Sequence, residues 1–185
     1  MKNYSFLLLV FTLASCELIK SDSSINYNGK ECFSENLNFP DLKSNIYGTY
    51  TFSYFENSRI NIYEDKNKLN AAVIEPGDKI VFQFRYRKKD DPMIIDDEFT
   101  QLIQFEIDSK VSEFVISGID LKKCNAVVAY LCFCPYGGFH YATDGCIQGT
   151  KLNDQSWEIK MHLKGKLENG SIDELIKHEF IKDES

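Results

Sequence analysis

The clearest pattern in the chain is the alternation of apolar and polar residues over short segments. In residues 157–167 every second residue is apolar or glycine, and the residues between them are Glu, Lys or His. Neighbouring side chains of a β-strand point to opposite faces, so this segment predicts a strand with one buried face and one face in water. Residues 79–87 show the same pattern after a turn signal at residues 75–78.

Weaker alternation runs through four other segments, residues 46–55, 59–63, 99–107 and 113–119. Residues 125–134 are more continuously apolar, which is typical of a strand covered on both faces. Short strands separated by turn residues, without helical segments between them, predict an all-β domain. We expect an antiparallel β-sandwich or a barrel-like sheet.

The C-terminal segment supports two predictions. Asn169 and Gly170 follow the strongest predicted strand and form a hairpin signal, which makes residues 172–181 a returning strand. A short C-terminal helix is the alternative, because Ser171 and Glu174 form a capping box. One helical face would then carry the apolar residues Ile172, Leu175, Ile176 and Phe180. We favour the strand, because the turn signal and the preceding strand agree.

The first residues of the chain have the composition of an export signal. Lys2 supplies a positive charge, and residues 6–13 form a run of low polarity. Eight helical residues cover only about 12 Å, whereas a membrane-spanning helix must cross ~30 Å of hydrocarbon. We therefore expect residues 1–15 to be a cleaved signal peptide.

The sequence Leu13-Ala14-Ser15-Cys16 resembles the lipobox of bacterial lipoproteins. The resemblance covers about the first sixteen residues. It implies a Cys16 that carries acyl chains such as palmitate and anchors the mature protein to a membrane, since several chains hold a protein stably in a bilayer. In the sorting rule of this class, Asp after the cysteine favours the inner membrane; Glu17 stands there, which implies the outer membrane. An ordinary secretory signal is the alternative.

Removal of residues 1–15 from the 185-residue chain leaves 170 residues, enough for one domain with a core. We expect residues 16–30 to be the lipidated cysteine and a flexible tether, and residues 31–185 to be a single β-rich domain. The whole chain has a net charge of −7, which becomes −8 when Lys2 is lost with the signal. A negative field of this kind excludes nucleic acid as a natural partner.

Export would place the other five cysteines, Cys32, Cys124, Cys132, Cys134 and Cys146, in an oxidising compartment where disulfides persist. Five is odd, so at least one thiol stays unpaired within the chain. Cys134 paired with Cys146 would close the loop between them, and Cys32 would pair with Cys124 or Cys132. A zinc site that includes His140 is the alternative, but zinc favours Cys-x₂-Cys and this chain has Cys-x-Cys. We therefore predict disulfides and no metal.

Residues 133–145 crowd four rings between glycines: Tyr136, Phe139, His140 and Tyr141. Loops carry binding residues more often than cores do, and exposed rings offer flat faces to a sugar or to a protein partner. We predict ligand contacts here, with Tyr136 and Tyr141 foremost. The alternative is that these rings cover the end of the core.

The chain lacks the sequence patterns of the common catalytic sites. It has no Gly-x-Ser-x-Gly elbow, no phosphate-binding glycine loop and no His-Glu-x-x-His zinc helix. The acidic turns at residues 90–91 and 96–98 lack the spacing of a calcium loop. We therefore assign no catalytic residue and no cofactor, and predict a membrane-tethered binding or interaction module of the envelope. The alternatives are a protein inhibitor, an immunity factor or an assembly factor, and then a hydrolase or a redox enzyme.

Overall fold

A computed structural model describes residues 25–29, 33, 37–66, 68–90, 93, 97–167 and 170–184. The predicted signal peptide, Cys16 and Cys32 lie outside the described residues. Within the described ranges the chain forms ten strands and one short helix: β1 (Gly48–Asp65), β2 (Lys68–Pro76), β3 (Lys79–Lys88), β4 (Thr100–Asp108), β5 (Glu113–Ser117), α1 (Asp120–Lys123), β6 (Val127–Leu131), β7 (Gly138–Tyr141), β8 (Asp144–Asn153), β9 (Ser156–Leu167) and β10 (Gly170–Lys182). The predicted all-β class is confirmed.

The alternating segments form strands with the predicted faces. On β9, Trp157, Ile159, Met161 and Leu163 are completely buried, and the residues between them reach solvent. β10 pairs with β9 in an antiparallel hairpin from Gly170 opposite Leu167 to Ile181 opposite Ser156. The returning strand is therefore confirmed, and the alternative of a C-terminal helix is wrong.

The strands form one ten-stranded sheet in the order β5-β8-β9-β10-β1-β3-β4-β6-β7, with β2 beside β1. Its pairings are antiparallel except that of β1 with β10, which is parallel and short: Ser53 faces Ile181 and Tyr54 faces Lys182. The sheet is therefore mixed rather than purely antiparallel. In the described part of the chain, the edge strands β5 and β7 are not paired with each other, so the sheet is open and sandwich-like.

The core lies between two halves of this sheet, which we call the β5-side half (β5, β8, β9, β10) and the β7-side half (β1, β3, β4, β6, β7). Phe82 is at its centre. Its ring stacks on Phe105 of the β7-side half at a centroid distance of 4.8 Å. It also meets Trp157 and Phe180 of the β5-side half, edge to face, at 5.4 and 5.9 Å. Burial of these large rings joins the two halves.

β1 is bent, and its second part covers the outer face of the β7-side half. The pairing register with β3 shifts between Phe55 and Ser58, and Asn57 has a φ of 49°. After this bulge β1 pairs with β2, and the hairpin covers a second apolar cluster: Ile60, Leu69, Ala72, Val81 and Val127. The two strands predicted at residues 46–55 and 59–63 are thus one strand, and β2 was not predicted.

Residues 25–29, at the end of the predicted tether, lie against the edge strand β5. The Gly29 N–H donates to the Val115 carbonyl at 2.9 Å, and the Val115 N–H donates to the Tyr27 carbonyl at 2.8 Å. The Tyr27 hydroxyl accepts a hydrogen bond from the Asp108 N–H at 2.8 Å. Ile25 and Tyr27 also pack against the core. This part of the predicted tether is therefore docked on the domain.

The helix α1 is a single turn of four residues that connects β5 to β6. Its Leu121 is fully buried. No helix in the described ranges is both long enough and apolar enough to cross a bilayer.

Candidate functional site

The predicted aromatic loop is partly a strand, and this divides its rings between two faces. Residues 138–141 are β7, which pairs with β6. His140 lies on the face of Tyr130, with ring centroids 6.5 Å apart, and Tyr136 meets the same ring at 5.6 Å. Phe139 and Tyr141 lie on the opposite face and pack against the second cluster. Tyr136 and Tyr141 therefore belong to different surfaces.

Tyr141 attaches β7 to the β1–β2 hairpin. Its hydroxyl donates a 2.8 Å hydrogen bond to Glu64, and the Lys122 ammonium lies 5.1 Å from its ring centre. Burial, followed by the hydrogen bond and charge of Glu64, raises the pKa of Tyr141 to about 12. These contacts show a ring that holds two elements together.

A cleft of about 400 Å³ opens beside Tyr136. One wall comes from β4 and β6 of the β7-side half, and the other from the β9–β10 hairpin of the β5-side half. The residues that line it are Phe99, Gln101, Tyr130, Tyr136, Leu167, Gly170, Ser171 and Glu174. We call this space the aromatic cleft. It is bordered by both halves of the sheet. Tyr136, one of the two residues predicted as the main ligand contacts, lines it, and Tyr141 does not.

One hydrogen bond joins the two walls of the aromatic cleft. The Tyr130 hydroxyl donates to Oε1 of Glu174 at 2.6 Å. Tyr130 is only 7% exposed. Burial raises its pKa, with a further contribution from the hydrogen bond and charge of Glu174, so the phenol stays protonated and acts as the donor.

Glu174 points into the molecule because β10 is a strand. With a repeat of two residues it shares a face with Ile172 and Ile176, both 2% exposed. In the helical alternative it was only a capping residue, so its inward position was missed. The alternation of residues 172–180 was the signal that could have revealed it.

The carboxylate of Glu174 has no cation beside it among the described residues. No Lys or Arg of that part of the chain lines the aromatic cleft. Other glutamates differ: Glu56 meets Lys182 at 2.6 Å, and Glu158 lies 3.6 Å from both Lys160 and Lys177. The cleft thus combines aromatic walls with an unneutralised negative charge.

Further rings continue from the cleft along the inner face of the β7-side half. Phe99 lies between Tyr130 and Tyr86, with centroid distances of 6.3 Å to each, and Tyr86 lies 4.6 Å from Tyr50. A Cβ on Gly48 would approach the Tyr86 ring to 2.4 Å, so glycine is what lets this ring lie over β1. The sequence analysis did not single out these residues.

The histidines outside β7 occupy opposite faces of the β9–β10 hairpin. His162 lies on the wet face, as predicted, and contacts Asp173 at 2.7 Å. His178 shares the inner face with Glu174, and its ring stacks on Phe52 at 3.6 Å between centroids. This position of His178 was not predicted from the sequence.

The cysteine pairing differs from the suggested one. Cys132 and Cys134 form a disulfide with each other, with their Cα atoms 5.3 Å apart. The suggested pairing of Cys134 with Cys146 is wrong, because Cys134 is bonded to Cys132. Cys146 lies on β8, in the other half of the sheet. Cys146 is itself disulfide-bonded, to a partner outside the described residues. Cys124 is free and buried, and Cys132 is bonded to Cys134. Neither of the two suggested partners of Cys32 is therefore bonded to Cys32.

The residues of the zinc alternative do not come together as ligands. Cys132 and Cys134 are oxidised, and the Cys124 thiol donates to the Leu121 carbonyl at 3.2 Å. The parts of the chain that the structure describes contain no group of three or more Cys, His, Asp or Glu side chains placed to hold a metal ion. In the acidic turns, Asp97 contacts Lys88 at 2.8 Å and Asp90 lies 3.6 Å from Arg87.

No protein-family model, curated protein sequence or solved structure matches this chain. The fold and the aromatic cleft define it as an all-β, sandwich-like protein with a cleft between its sheet halves. The function is therefore argued from the geometry of this cleft.

Proposed function

We propose that this protein is a lipid-anchored lipoprotein of the bacterial envelope, held at the outer membrane through Cys16, that binds a ligand in the aromatic cleft. The cleft carries the binding part of the proposal, since it is lined by rings and crossed by the bond from Tyr130 to Glu174. The lipobox-like sequence before Cys16, with Glu17 after it, supports the anchor.

The aromatic cleft has the properties of a small-molecule site. Ligand sites are typically concave, roughly 300–1,000 Å³ in volume, and apolar with a few polar groups. Here rings near the start of β4 and near the end of β6 supply the apolar walls, and Gln101, Ser171 and Glu174 supply the polar groups. Tyr136 is 41% exposed, so one ring at the cleft is open to an incoming ligand. A glycan or another small molecule with a face for stacking suits this surface.

The binding test compares two rings of the same segment. The full chain, purified in a polyoxyethylene detergent that contains no sugar or choline, is screened by calorimetry against glycans and small metabolites. A ligand of the cleft should bind Tyr136→Ala about tenfold more weakly. Phe133→Ala is the control, because Phe133 is 92% exposed and does not line the cleft. Equal binding by the wild type and Tyr136→Ala would contradict the proposal.

The anchor is tested separately in cells. Metabolic labelling with an alkyne fatty acid should mark the wild type and leave Cys16→Ala unmarked, because the acyl chains attach to that cysteine. Membrane fractionation should place the wild type with the outer membrane, and Glu17→Asp should move it towards the inner membrane. An unlabelled wild type would overturn the anchor without touching the binding test.

A protein partner is the second candidate, and an apolar tip beside the disulfide favours it. Phe133 and Leu131 are 92% and 43% exposed. Exposed apolar side chains that form a patch are typical of interaction surfaces, and these two are two residues apart in the sequence. As an inhibitor, an immunity factor or an assembly factor, this protein would bind its target through these residues. Cross-linking in cells separates this candidate from the first: Phe133→Ser should remove a protein adduct that Tyr136→Ala retains.

A further inference from the structure

We propose that the ligand of the aromatic cleft is a small organic cation, with a methylated ammonium group held between the rings and the Glu174 carboxylate. This inference rests on the proposed function, because it names the class of ligand for the same cleft.

The charge of Glu174 is the first argument. Its side chain is half-buried between Ile172 and Ile176. Among the described residues its carboxylate accepts a hydrogen bond from Tyr130 and has no ion-pair partner. Removal of a carboxylate from water is best compensated by hydrogen bonds together with an opposite charge, and among the described residues Tyr130 supplies only a hydrogen bond. A ligand cation in the cleft would supply the missing charge.

The arrangement of the rings is the second argument. Tyr130 and Tyr136 lie 5.6 Å apart at 88°, and Phe99 lies 6.3 Å from Tyr130. Two rings at right angles form a corner, and a third ring extends one of its sides. Cations are attracted to aromatic faces within about 6 Å, and aromatic cages bind quaternary ammonium groups in this way.

Tyr130 connects the two arguments. Its hydroxyl donates to Glu174, which fixes the ring beside the carboxylate. A phenol that donates to a carboxylate gains electron density, and a richer ring attracts a cation more strongly. The hydrogen bond uses one of the acceptor sites of the Glu174 carboxylate, and the ligand is recognised by its charge and by the faces of the rings. A quaternary methylated ammonium fits these faces, because it has no N–H donor that requires an acceptor and it is weakly hydrated.

The dimensions and the overall charge favour a small, soluble ligand. The cleft of about 400 Å³ holds a compact molecule but not a folded partner. The chain has a net charge of −7, which attracts cations and repels anions over its surface. Gln101 and Ser171 also line the cleft and offer hydrogen bonds to a polar group next to the ammonium.

The test uses two probes of nearly equal shape. Choline carries a quaternary nitrogen, and 3,3-dimethyl-1-butanol has a carbon in its place. The full chain in the polyoxyethylene detergent is titrated with each probe, and binding is followed by calorimetry and by the chemical shift of the Gly170 amide, which lines the cleft. Choline should bind at least tenfold more tightly than the neutral alcohol.

Two glutamate variants of one strand provide the matched comparison. Glu174→Gln keeps an oxygen that accepts the Tyr130 hydrogen bond and removes the charge, so it should bind choline about tenfold more weakly. Glu179→Gln makes the same change on the exposed face of β10 and should bind as the wild type does. Thermal unfolding of both variants shows whether the fold is retained.

Three results would overturn the inference: no choline binding up to about 10 mM, equal affinity for the two probes, or full choline affinity in Glu174→Gln. The affinity of Tyr136→Ala shows separately whether the ligand binds in the cleft. A neutral ligand that this variant loses and Glu174→Gln retains would leave the proposed function standing and remove the cation. If Glu174→Gln and Tyr136→Ala both weaken choline binding, the result supports the proposed function and the cationic ligand together.

Discussion

The Tyr130 hydroxyl and the Glu174 carboxylate meet at 2.6 Å although they are 44 residues apart in the sequence. Tyr130 belongs to β6 and Glu174 to β10, and these strands are not neighbours in the sheet. The hydrogen bond therefore crosses from one half of the sheet to the other, at the wall of the aromatic cleft. It places a carboxylate among rings, and it should also contribute to stability.

Tyr130→Phe should lower the free energy of unfolding by about 1–2 kcal/mol, because a hydrogen bond to a charged acceptor is lost while the ring remains. Urea unfolding measures the change. Tyr136→Phe is the control, since the Tyr136 hydroxyl has no hydrogen bond to another described residue; it should change stability by less than about 0.5 kcal/mol. Equal effects of the two variants would show that the bond to Glu174 adds nothing.

Gly149→Ala should destabilise the core by about 1–3 kcal/mol, because the added Cβ has no space. It would lie 2.4 Å from the Phe114 ring and 2.8 Å from Ile159. Gly170→Ala is the control: its nearest contact would be at 3.9 Å, so unfolding should change by less than about 0.5 kcal/mol. Thermal unfolding of both variants checks the prediction, which fails if Gly149→Ala is as stable as the wild type.

Glu106→Ala should cost about 2–4 kcal/mol, because Glu106 is a buried carboxylate that serves several groups. Its Oε2 accepts the Ile60 N–H at 2.6 Å, its Oε1 accepts the Asn125 amide at 3.1 Å, and Lys79 lies 3.6 Å away. Chemical unfolding provides the measurement. The exposed Glu113 offers the control, and a loss in Glu113→Ala as large as that in Glu106→Ala would contradict the account.

Stability should fall above pH 9 because of Cys124. Burial raises the pKa of its thiol from an ordinary value of 9.0 to about 12 in the folded protein. The folded state therefore keeps the proton while the unfolded state loses it. The part of the free energy of unfolding that depends on this proton is fully present below about pH 9. It is lost as the pH rises towards 12, at up to ~1.4 kcal/mol per pH unit.

Urea unfolding at pH 8, 9 and 10 tests the thiol. Tyrosines of the unfolded chain begin to ionise at about pH 9, and those whose pKa is raised by burial, such as Tyr130, add to the same decline, so the thiol is measured by comparison of the wild type with Cys124→Ala. Cys124→Ala should make the decline between pH 9 and 10 shallower. Iodoacetamide should react with Cys124 only after unfolding, because the native thiol is buried and protonated. Rapid alkylation of the folded protein at pH 8 would contradict this reasoning.

The strands that could be predicted from the sequence are those whose own alternation reports burial. β9 alternates cleanly because it has one face on the core and one in water, and β3 does so after Val81, which the β1–β2 hairpin covers. β8 was missed: its Gly149 adds no apolar side chain to the pattern, and the space is filled by Phe114 from the next strand. Its identity as a strand depends on its pairing with β5 and β9, which a local pattern does not contain.

The candidate site was predicted in part, and for a physical reason. Residues 136–141 were recognised as aromatic, but a loop interpretation places all four rings on one surface. The strand β7 sends Phe139 and Tyr141 to the second cluster and keeps His140 with Tyr130. The contact of Glu174 with Tyr130 could not be predicted either, since it depends on the packing of two strands that are distant in the sequence.

With the proposed anchor at Cys16, the docking of residues 25–29 on β5 would limit how far the domain moves from the membrane. Nine residues lead from the proposed anchor at Cys16 to Ile25, the first residue that the structure describes, which packs on the core. Even fully stretched, such a chain covers only ~30 Å. The domain would therefore stay close to the lipid surface with its β5 edge towards the bilayer, and ligand capture would take place near the membrane.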